Sequence, residues 1–175
     1  MISDHPAGFM PTGILNSVTE ADFDRVINTN IKGPLFLVQK AVPHMPIPSP
    51  TTSTTGSSGG RVIFLSTGLN TATGISPAYL LYAMSKGAVD QLTRVLSKEL
   101  AAKNITVNAV APGPTATDLF FNGKSDEVVH MLENQSPFKR LGSPSDIADV
   151  ILFVASESSR WVSGQIIRAN GANMV

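Results

Sequence analysis

Cysteine is absent from the 175 residues, which excludes disulfides and thiolate chemistry and fits a reducing compartment. An excess of charge is absent too. Thirteen Lys and Arg balance thirteen Asp and Glu, and no run of basic residues forms a stripe, so neither nucleic acid nor an anionic membrane surface is expected as a partner. The three histidines, His5, His44 and His130, lack the spacing of metal ligands. Neither a secretory leader nor a membrane span is expected: Met1 to Pro6 is polar and broken by Pro6, and apolar stretches such as Val150 to Ala155 are far too short. A cytoplasmic protein is expected.

With 42% hydrophobic and 15% charged residues, the chain has enough apolar material for one soluble globular domain. Thr19 to Met45 reads as a helix, capped by Thr19 with Asp22 in its first turn; Phe23, Val26, Ile27 and Ile31 form its apolar face, which Asn30 shares. Pro46 to Gly60 is rich in Pro, Ser, Thr and Gly and reads as a flexible surface loop. Arg61 to Ser66 is a short apolar run expected as a strand buried on both faces. A helix follows over about 78 to 102, with Ala88, Leu92, Val95, Leu96 and Leu100 as its core stripe. Ile105 to Val110 is a second buried strand, and a short helix is expected near Asp126 to Glu133. A further helix, capped by Ser145, runs to about Ala155, and Gln165 to Ala169 is a last strand. Strands alternating with helices imply an α/β protein with a parallel sheet between helical layers and a ligand site outside the carboxyl ends of its strands.

Within that frame the residues with chemical potential converge. Tyr82 and Lys86 stand four apart on one helix, so the lysine cation lies within reach of the phenol and can stabilise its phenolate, moving a pKa of about 10 toward working pH. The preceding strand delivers Ser66, Thr67 and Gly68 at its carboxyl end. The next supplies Pro112-Gly113-Pro114-Thr115-Ala116-Thr117, where a glycine lets a ligand approach the backbone and threonines can bond amide or phosphate oxygens. Pro34 lacks an N–H, and this leaves the carbonyl of Asn30 without its helical partner on a buried face.

Taken together, the chain resembles a short-chain dehydrogenase/reductase, in particular the NADP-dependent ketone reductases of fungal secondary metabolism. Six blocks carry the resemblance in order: Val26 to Gly33, Arg61 to Thr67, Tyr82 to Lys86, Ile105 to Asp118, Arg140 to Ala148 and Gly164 to Gly171. The resemblance implies a Rossmann-like doubly wound sheet in three α/β/α layers. It implies that Tyr82 protonates a carbonyl oxygen while Lys86 lowers its pKa and bonds the cofactor ribose. Asn30 corresponds to the residue that holds a water in a proton relay. The family's substrate-orienting serine falls on Thr67, with Ser66 beside it as the alternative. Thr115 and Thr117, next to Pro112 and Gly113, match positions that hold the nicotinamide amide and the pyrophosphate. NADP(H) is favoured over NAD(H).

One family feature has no counterpart. No Gly-x-x-x-Gly-x-Gly turn occurs, nor the residue that selects between the two cofactors. Ala7-Gly8 matches the tail of the family's Asn-Asn-Ala-Gly turn, with His5-Pro6 in place of the asparagines. The expectation is therefore the C-terminal part of the fold with its first strands missing and cofactor binding impaired. Two functions follow: reduction of a small-molecule ketone or oxidation of a secondary alcohol, or a catalytically silent paralogue or fragment acting through association. The helices beginning near Thr19 and Ala78 would form a homo-oligomer surface. Phe120 and Phe121, within the family's substrate-reading segment, suggest an apolar ligand.

Overall fold

The computed structural model describes residues 8–46 and 59–174; the His5-Pro6-Ala7 stretch and most of the loop expected over 46–60 lie outside them. The stretch from Thr19 forms three helical pieces instead of one. α1 spans Glu20–Ile27, a π-helical turn spans Asn28–Lys32, and α2 spans Gly33–Ala41 before a 3-10 turn over Val42–His44. The start was correctly read. The Asp22 amide donates to the Thr19 hydroxyl at 3.1 Å, with Glu20 and Asp22 in the first turn where the helix dipole favours negative charge. The interruption has its cause in Pro34, whose ring cannot sit against a carbonyl four residues back. A wider turn accommodates it, and the Gly33 amide reaches the Asn28 carbonyl five residues before. Val26 and Asn30 are buried on the expected face, whereas Phe23 is exposed.

β1 is Arg61–Leu65, α3 is Leu80–Leu100 and β2 is Thr106–Pro112; after α4 at Asp118–Phe121, α5 at Asp126–Gln135 and α6 at Pro144–Ala155, the described chain closes with β3 at Ile166–Ala169. The three strands are parallel in the order β1-β2-β3, with Phe64 beside Ala109 and Ala109 beside Ile166. Val62, Phe64, Val107 and Ala109 form one core cluster with Val38 and Val42 from α2 and its extension and Val89 and Leu100 from α3. β2 is buried from Thr106 to Ala111, so its second face is covered as well. α6 packs on all three strands and supplies that cover, with Val154 fully buried. The result is the expected α/β/α sandwich.

Three expectations need correction. β1 is not buried on both faces: Val62 and Phe64 are buried, but Arg61, Ile63 and Leu65 are only half-buried, because β1 is the edge of the described sheet. The stripe of α3 holds at Leu92, Leu96 and Leu100, which meet the core, and fails at Val95. Val95 is 53% exposed, and the buried positions include Tyr82, Ser85, Lys86, Val89, Asp90 and Thr93. Apolar residues alone leave the stripe incomplete, since half of the buried face is polar. Finally, Ser143, not Ser145, caps α6. Its hydroxyl accepts from the Asp146 amide at 3.2 Å while the Asp146 carboxylate accepts from the Ser143 amide at 2.7 Å, and Pro144 occupies the first helical position.

Candidate active site

The site is a seam between α3 and the carboxyl end of β1. Tyr82, Lys86 and Asp90 follow one another at four-residue steps and so project from one face of α3. Each meets a different part of the β1 end. Tyr82 stands by the Thr67 side chain, which acts on its phenol, while the Thr67 hydroxyl accepts from the Leu69 amide at 3.3 Å. The Lys86 ammonium donates to the Leu65 carbonyl at 2.7 Å. Asp90 accepts from the Ser66 hydroxyl and from the Asn70 amide, the latter at 2.7 Å. All three helix residues are deeply buried, with exposures of 7%, 3% and 8%. Of the two candidate hydroxyls, Thr67 stands at the phenol and Ser66 is turned to Asp90.

Asn30 fastens this seam to the chain around Gly8. Its side-chain oxygen accepts from the Phe9 amide at 2.8 Å, and its nitrogen donates to the Phe9 carbonyl at 3.0 Å and to the Ser85 hydroxyl at 2.9 Å. Ser85 in turn donates to the Tyr82 carbonyl at 2.8 Å. Gly8 is required twice over. Its φ of +128° disfavours any side chain, and a Cβ there would lie 3.0 Å from the Asn30 oxygen and 3.1 Å from the Lys86 nitrogen. Asn30 and Lys86 therefore press on the same side of one glycine.

Burial governs the electrostatics. It pushes the Tyr82 phenol above its ordinary 10.0; the hydrogen bond with Thr67 pulls it back, and Tyr79 adds to the rise. The same burial pushes Lys86 down to about 8, against the opposing pull of the Asp90 charge. The expected lowering of the phenol by Lys86 is not what this arrangement gives. The Lys86 nitrogen lies 5.7 Å from the centre of the Tyr82 ring and is bound to the Leu65 carbonyl. At neutral pH Tyr82 is a neutral acid beside a cation.

The loop after β2 leaves the carboxyl end of its strand, where it was expected. Thr115 donates to the Gly113 carbonyl at 2.9 Å, and Thr117 caps α4 by accepting from the Phe120 amide at 3.3 Å. Both hydroxyls close their own loop. Gly113 is small for the sake of Asn170, since a Cβ on it would come within 2.9 Å of that residue's side chain and 3.0 Å of its Cα, so the glycine admits a neighbouring strand end. Pro112 ends β2, and its carbonyl lies 3.2 Å from where a Cβ on Gly68 would sit, so the loops after β1 and β2 touch through that glycine. Behind them lies a cavity of about 350 Å³ lined in part by Gly113, Pro114, Leu132, Arg140, Arg168 and Asn170. Tyr82 and Lys86 do not line it. Sequence reasoning missed Asp90, Asn70 and Ser85; continuing the four-residue step beyond Lys86 would have found the first.

Known proteins are similar to this chain along most of its length. Residues 2–171 match the family profile described as enoyl-(acyl carrier protein) reductase. The NADPH-dependent aldehyde reductase 2, chloroplastic, of Arabidopsis thaliana is 39% identical over 149 residues, 85% of this chain and 51% of that protein. The short chain dehydrogenase/reductase AacuN of Aspergillus aculeatus is 40% identical over 177 residues, 94% of this chain and 62% of its own. Among solved structures, the angucycline C-6 ketoreductase LanV with bound NADP superposes with a TM-score of 0.82 at 39% identity, covering 97% of this chain and 60% of that one. The chain thus spans between half and two thirds of the length of these relatives. A parallel sheet delivering a hydroxyl to a helix-borne Tyr/Lys pair, matched along nearly the whole sequence, makes this chain a member of the short-chain dehydrogenase/reductase family.

Proposed function

We propose that this chain carries the proton-transfer machinery of an NADP(H)-dependent reductase that interconverts a small ketone and a secondary alcohol. The buried set of Thr67, Tyr82 and Lys86 supports this reading most directly. Thr67 orients the carbonyl oxygen in preference to Ser66, which Asp90 holds elsewhere. Tyr82 gives its proton to that oxygen. Its raised pKa keeps it protonated before the reaction, and Lys86 supplies the nearby positive charge that stabilises the phenolate left when the proton departs.

The donor set fits the nicotinamide ribose end of such a cofactor: a phenol and an ammonium at one strand-end crevice match a sugar diol. When bound, a reduced nicotinamide supplies the hydride to the carbonyl carbon. Thr115 and Thr117 take the amide and pyrophosphate by giving up their loop bonds, and Pro112 and Gly113 shape that wall. Asn30 contributes a water-held relay from its carbonyl, to which the wide turn at Asn28–Lys32 gives room. NADP is favoured over NAD because one relative is named for NADPH and a solved ketoreductase holds NADP. Binding is weakened in the absence of the glycine-rich phosphate turn from this sequence. The test is fluorescence titration with NADPH together with ketone-dependent NADPH oxidation. Saturable binding and loss of turnover in Tyr82→Phe are expected; no binding at millimolar NADPH sinks the proposal for this chain.

A second reading is association without catalysis, in a cytoplasmic homo-oligomer. It is favoured by apolar side chains left exposed on the helices expected as the interface: Phe23 on α1, Leu35, Phe36 and Leu37 on α2, and Leu80, Met84 and Val95 on α3. Light scattering that returns a monomer counts against it.

A further inference from the structure

Asp90 is a buried charge that the proposed chemistry does not use. Taking a carboxylate out of water is costly unless paired charges and hydrogen bonds compensate. Here both of its oxygens accept from the loop after β1, one from Ser66 and the other from Asn70. An amide at this position has one acceptor oxygen, so two side-chain donors on opposite sides call for a carboxylate. Ser66 and Asn70 bracket Thr67, and a Cβ on Gly68 between them would meet the Pro112 carbonyl at 3.2 Å. The loop is therefore tied at both ends to α3 and pressed from behind. The same carboxylate stands one helical turn beyond Lys86 and acts on its charge.

We propose that Asp90 is a positioning residue with two linked tasks: it clamps the Ser66 to Asn70 loop so that Thr67 faces Tyr82, and it keeps the neighbouring Lys86 cationic in its buried setting. Its importance for turnover rests on the reductase reading above; its action on the loop and on Lys86 does not. Toward Lys86 the structure places Tyr82 and Asp90 from its own helix, the Leu65 carbonyl from β1 and, across Gly8, the uncharged Asn30 amide. The Asp90 charge opposes the burial of Lys86, whose pKa stands at about 8.

The test uses the full chain and needs no turnover. Competitive acylation of lysine amines across pH, read by mass spectrometry, gives the Lys86 titration midpoint; amide hydrogen exchange reports the peptide spanning residues 66–71. In Asp90→Asn, which keeps the shape and removes the charge, the Lys86 midpoint falls by about one pH unit and exchange in the loop quickens about tenfold. An unchanged midpoint or an unchanged loop in a cooperatively melting variant overturns the proposal. Should that variant fail to fold, Ser66→Ala removes one tether with the charge in place. It must quicken the loop and leave the Lys86 midpoint where it was, and a loop as slow as the parent's, or a midpoint that moves, is equally fatal. Failure of the parent chain to oxidise NADPH bears on the reductase reading alone.

Discussion

The loops after β1 and β2 leave neighbouring strands on the same edge of the sheet, and they are built on opposite terms. Ser66 and Asn70 bond to the Asp90 side chain of α3, and Thr67 stands by Tyr82 there while also accepting from the Leu69 amide of its own loop. Thr115 and Thr117 bond to backbone within their own segment. The first loop is held by the fold and cannot move without breaking buried contacts. The second holds itself, and its hydroxyls can exchange a local carbonyl for a ligand at little cost. A proton donor requires fixed geometry, whereas a surface that receives a large partner benefits from groups that can turn.

Mutations separate the two. The largest stability effect is expected for Asn30→Ala, which strips three hydrogen bonds from a nearly inaccessible position. A loss of about 3 kcal/mol in urea unfolding is expected, and a loss under about 1 kcal/mol would mean that the seam does not depend on the anchor around Gly8. The pH dependence comes next. Lys86 has a folded pKa of about 8 against 10.5 free, so between those values the unfolded chain binds more protons and stability rises with pH. Tyr82, raised above 10.0, acts oppositely only beyond about pH 10. Stability should therefore grow by roughly 2 kcal/mol from pH 8 to 10, seen as a rising melting temperature that Lys86→Met abolishes. Reduction, in contrast, should fade as pH climbs through about 8 and the cation is lost.

The finest discrimination is between two threonines. Thr67→Val leaves a buried phenol without its partner and is expected to cost about 1.5 kcal/mol, while Thr115→Val removes a half-buried local bond and costs about 0.5 kcal/mol. Equal losses in parallel melts would erase the contrast between the loops.

Much of this was legible in the sequence, and the exceptions share a cause. The strands at Arg61 and Ile105, the long helix through Tyr82 and the strand-end position of Thr67 follow from local pattern. What misled was the assumption that apolar residues mark the buried face. On α3 the inward positions Tyr82, Ser85, Lys86 and Asp90 are polar because they bind one another's neighbours, and only tertiary partners make their burial tolerable. Ser66 and Thr67 could not be told apart for the same reason: adjacent residues on an extended chain point opposite ways, and the choice lies with α3. Ser143 and Ser145 are both good caps in isolation, and the reciprocal bond with Asp146 decides between them.

The wide turn at Asn28–Lys32 also works as a phase corrector. A regular helix advances about 100° per residue, so Val38, twelve residues after Val26, would stand about 120° away from it around the axis. The additional residue taken up by the π turn removes about 100° of that error, which brings Val38 and Val42 back to the side that buries Val26 and Asn30. Pro34 thus sets the rotational register of everything downstream in that helical stretch. Straightening that turn with all of its residues kept would aim Val38 away from Phe64 and Val107 without changing any of them, whereas deleting one residue there would let a regular helix run through in the same register.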